Sequence, residues 1–63
     1  MTKKELKNLA KQIAECERVI QTSEDKDERR QAEERIMKIT RTVRNFEDLS
    51  KIDELAMKIL EKN

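Results

Sequence analysis

Nucleophilic catalysis needs an attacking side chain and a neighbouring base to take its proton. This chain of 63 residues offers one thiol, Cys16, a few hydroxyls and no histidine at all. Cys16 falls on the apolar seam of a helical pattern, which reads as a small core residue rather than a redox or metal-binding thiol. Paired carboxylates do no better. Asp53 with Glu54, and Glu33 with Glu34, are neighbours in sequence. On a helix their side chains diverge by about 100°, so neither pair can share a proton or an ion. Glu24, Asp25, Asp27 and Glu28 crowd a short stretch without the glycine and ligand pattern of a calcium loop. No catalytic, cofactor-binding or metal-ligating set is therefore assigned. The expectation is a non-enzymatic protein without cofactor or small-molecule substrate.

The side chains left with chemical reach are cations. On helical geometry Lys4, Lys7, Lys11 and Arg18 fall within about 60° of one another, a basic stripe beside the apolar seam. Arg35, Lys38, Arg41 and Arg44 step around the solvent side of a second helix. Formal net charge is only +1, but no acid interrupts residues 35–45, whereas residues 23–34 hold six acids and three bases. Two such surfaces suit phosphates. The plainer reading is solvation of a highly charged helix, helped by pairs such as Glu34 with Lys38. Stacking on single-stranded bases needs aromatics, and the one aromatic, Phe46, is assigned to the core by its spacing. A nucleic-acid ligand would therefore be structured RNA or a duplex.

These residues must be carried by helices, because the chain has no glycine and no proline. Thr2 and Glu5 stand at capping-box spacing, ahead of a seam at Leu6, Leu9, Ile13, Cys16 and Ile20. A polar stretch from Gln21 to Glu28 interrupts it, with Ser23 or Asp25 as the next cap. Ala32, Ile36, Ile39, Val43 and Phe46 then form a second seam. Beyond Phe46 that register would bury Ser50 and Asp53, so a third helix capped by Asn45 is expected instead. The fold class is all-α: a small three-helix bundle with helices over about 3–21, 26–45 and 46–61, forming one domain over 1–63. The alternative is a helical hairpin with a long second helix. A chain of this size buries only about 60% of its unfolded surface, so self-association is expected to complete the bundle. One cysteine and no apolar run of membrane length point to a reduced, cytoplasmic protein with no membrane partner.

The third helix carries more apolar surface than a narrow seam requires. Leu49, Ile52, Leu55, Ala56, Ile59 and Leu60 cover about 140° of arc, and Met57 lies farther round. Either this helix is wedged between the other two, or part of its face is left for another chain. Leu49-Ser50-Lys51-Ile52-Asp53-Glu54-Leu55 is similar to the Ser-x-x-x-Asp signature of a family of small, helical-hairpin aspartyl-phosphate phosphatases. The serine-to-aspartate spacing is one residue short here, so no family is assigned. The expected function is that of a small intracellular adaptor or regulator. It would dock a protein partner or a second copy through Leu49, Ile52, Leu55, Met57 and Ile59 together with the first-helix seam. The alternative is an RNA- or duplex-binding protein using the eight bases of the two stripes.

Overall fold

With no helix-breaking residue in the chain, capping side chains decide where each helix begins. The computed structural model describes residues 1–62 and contains three helices: α1 (Lys3–Thr22), α2 (Lys26–Thr42) and α3 (Phe46–Glu61). At the head of α1 the expected box is closed. The Glu5 N–H donates to Thr2 Oγ1 at 3.2 Å, and the Thr2 N–H donates to Glu5 Oε1 at 3.4 Å. Asp25 caps α2 by accepting the Asp27 N–H at 3.0 Å, while the Glu28 carboxylate accepts the Ser23 hydroxyl instead of closing a box. Asn45 caps α3 by accepting the Glu47 N–H at 2.9 Å.

The break between α2 and α3 excludes the long-second-helix alternative. It also arrives three residues earlier than the apolar spacing predicts. Val43 and Asn45 both take extended backbone, and the Val43 N–H makes the last helical bond, to Ile39 O at 3.2 Å. The turn before it is rich in β-branched residues, whose stiffness disfavours helix. Its threonines also bond backwards, Thr40 to the Ile36 carbonyl at 2.8 Å and Thr42 to the Lys38 carbonyl at 2.6 Å. Arg44 consequently sits in the connection and not on α2.

Leu6, Ala10, Ile13 and Ala14 of α1 build the core with Ile39 and Val43, and with Ile52 and Ala56 of α3. Helix α1 packs against both partners, while α2 and α3 scarcely touch. The Cα framework is correspondingly flat, 34 × 26 × 15 Å. The central helix is thus α1, which corrects the expectation that α3 could be wedged between the others. Ala10 and Ala14 explain the difference: both are buried on the flank of the α1 seam, widening its apolar arc enough to serve two neighbours.

Phe46 requires a second correction. It is 81% exposed and not part of the core. Its place in the second seam assumed an unbroken helix. Once Asn45 restarts the helix, Phe46 lies about 120° around α3 from the fully buried Ile52. Cys16 and Ala32 are buried outside the main cluster, where α1 and α2 pair.

Candidate functional site

The expected docking residues divide by depth. Ile52 is completely buried and belongs to the core, so it cannot form part of a surface in this bundle. Leu49, Leu55 and Ile59 are half-buried against the core, and Met57 is 61% exposed. Met57 faces away from Leu55, on the same side of α3 as Phe46. The helix therefore has two outer apolar flanks instead of one continuous strip.

Leu55 and Ile59 lie along the seam where α3 meets α1. Two adjoining hollows open there, of about 270 Å³ and 350 Å³, and Lys7, Leu55 and Lys58 line both. Leu6 and Leu55 give the first its apolar floor, and Leu55 and Ile59 the second. The rims are cationic: Lys3, Lys7 and Lys11 from α1, Lys51 and Lys58 from α3, and Lys62 from the cap that follows α3, with Glu54 the acid among the lining residues. Among the described residues, no ion pair engages these lysines. The ion pair nearby joins the N-terminal ammonium to Asp48 Oδ2 at 3.7 Å, holding the start of α1 beside the first turn of α3.

The apolar periodicity of α3 gives no signal of the lysines beside it. Lys51, Lys58 and Lys62 fall within about 40° of one another on helical geometry, as regular a stripe as that on α1. Of the predicted α1 stripe, Lys7 and Lys11 reach this groove, while Lys4 and Arg18 are exposed elsewhere on α1.

The second basic cluster lies on the other side of the bundle. Arg35, Lys38 and Arg41 line one hollow with Gln31, Glu34 and Met37, and another with Gln12, Ile39 and Thr42. Arg44 is exposed in the connection. The two basic faces that the sequence suggested could combine into one footprint line separate hollows.

Cys16 lies at a separate hollow, with Glu15, Val19, Glu28 and Arg35 around it. Burial raises its thiol pKa above the ordinary value, and the neighbouring Arg35 guanidinium partly offsets this. The thiol is neutral and shielded, a poor nucleophile. Among the described residues, no three His, Cys, Asp or Glu side chains gather to hold a metal ion. Among them too, no helix is long and apolar enough to cross a membrane. Comparison with protein families, with curated proteins and with solved structures yields no match to this chain.

Proposed function

We propose that this chain is a non-enzymatic adaptor or regulator that acts inside the cell by docking a protein partner on α3, along the seam that α3 makes with α1. The carrying observation is that α1, not α3, is the central helix. The apolar arc of α3 is then wider than its single neighbour needs, leaving Leu55 and Ile59 half-buried at a groove. Photo-crosslinking in cells would test this, with a photoreactive residue placed at position 58 on the groove rim and, in a second protein, at position 38 on α2. The expected result is protein adducts from position 58 that survive nuclease treatment. Adducts that form only from position 38, or that disappear with nuclease, would contradict it.

A second reading rests on Arg35, Lys38 and Arg41, which line two hollows together and include one acid, Glu34, among their neighbours. On that reading the chain binds the phosphates of structured RNA or a duplex. Its signature would be affinity for duplex RNA that falls steeply with salt and drops further for R35E/R41E.

A further inference from the structure

We infer that the occupant of the α1–α3 groove is an acidic amphipathic helix of a partner protein; the inference rests on the docking role proposed above and specifies the chemistry of the partner. Charge sets the first constraint on the occupant. Six lysines, five on α1 and α3 and one at the cap of α3, rim the groove against a single lining carboxylate, Glu54, although the chain as a whole is nearly neutral. A ligand that fits this rim carries acids on both flanks.

Shape supplies the second constraint. The two hollows succeed one another along the helix pair, advancing from Lys3 and Lys7 to Lys7 and Lys11 on α1, and from Leu55 to Leu55 and Ile59 on α3. Four residues of helix advance about 6 Å. Apolar side chains at i and i+4 of a docking helix sit about 5–6 Å apart on one face. One such pair fills both hollows, while Glu or Asp on either side of the pair meets the lysines. This is the helix-in-groove mode of recognition, with charge setting orientation.

A second copy of this chain does not meet these requirements. Its own acidic stretch, residues 23–34, contains one apolar residue, Ala32, which is buried. Its exposed apolar side chains do not match the hollows either: Phe46 and Met57 stand about 17 Å apart along α3, and Met37 lies among Arg35, Lys38 and Arg41.

The test is affinity measured on the intact chain with a synthetic helical peptide of about four turns, carrying Leu at i, i+4 and i+7 and Glu at the flanking positions. Three competitors are run beside it: the same residues scrambled so that the leucines share no face, the same helix with Lys for Glu, and duplex RNA. The designed acidic helix is expected to bind at least about tenfold more tightly than either altered peptide, the equivalent of about 1.4 kcal/mol. K7E/K58E is expected to abolish that preference without shifting the thermal melt, since both lysines are exposed. Equal binding of scrambled and designed peptides, or stronger binding of the basic helix or of RNA, would overturn the proposal. Retention of the preference in K7E/K58E would overturn it as well. Any of these outcomes would leave crosslinks from position 58 standing, so failure of the partner chemistry can be told apart from failure of the docking role.

Discussion

At the scale of single residues, Ile52, Phe46 and Cys16 show how position within a helix overrides residue type. Ile52 is fully buried, and burying such a side chain contributes about 1.5–3 kcal/mol. Ile52→Ala also leaves a cavity, so a loss of about 2–5 kcal/mol is expected in denaturant unfolding. In a chain this short, whose stability is of the order of 0.05–0.15 kcal/mol per residue, that loss approaches the whole. Phe46→Ser, by contrast, should change stability by less than about 0.5 kcal/mol, because the ring is already in solvent. A loss as large as that of Ile52→Ala would show that Phe46 is covered in solution. Cys16 belongs to the same scale. Its folded pKa is raised by burial, so the fold favours the neutral thiol. The stabilisation it contributes is fully present below the unfolded thiol pKa, about 8.5, and is lost as pH rises from there through the folded value. Unfolding midpoints of wild type and Cys16→Ala should run parallel at neutral pH and converge or cross on the alkaline side. A difference independent of pH would assign the contribution of Cys16 to packing alone.

At the scale of the elements, the starts of the helices were readable because each rests on short-range chemistry. Thr2, Asp25 and Asn45 all accept the capping N–H bonds that their types and spacing predict. The end of α2 was less readable. Apolar spacing continues through Val43 to Phe46, whereas the chain turns at Val43, and only the run of β-branched residues in the last turn foreshadowed it. This early turn decides which side of α3 faces inward, so the Asn45 cap bears on the groove itself. Asn45→Ala should cost about 1 kcal/mol of stability, and Asn45→Ser should recover most of it. Equal stability of the two variants would mean that the register of α3 is set by packing and not by its cap. The candidate site was half visible for a related reason. The apolar arc of α3 and the stripe of α1 were each apparent from periodicity. That they converge at Leu55, Lys7 and Lys58 depends on which two helices pack, and three similar amphipathic helices do not declare their neighbours.

At the scale of the molecule, a central α1 with α2 and α3 splayed on either side leaves the bundle flat, with much of the outer surface of α3 uncovered. Phe46 and Met57, 81% and 61% exposed, fall within about 20° of each other on the flank opposite Leu55. Apolar exposure of this kind favours association of copies. Light scattering is therefore expected to give a molar mass that rises with concentration above that of one 7.5 kDa chain, and F46S/M57S should hold it at the single-chain value. A constant single-chain mass in the wild type would contradict self-association without touching the lysine-rimmed groove. Backbone amide shifts recorded during titration with the acidic amphipathic peptide test that groove most directly. The predicted result is a set of perturbed amides confined to residues 3–11 and 51–62, where α1 and α3 meet. Perturbations gathered instead around Arg35, Lys38 and Arg41, or spread evenly over every basic face, would contradict it.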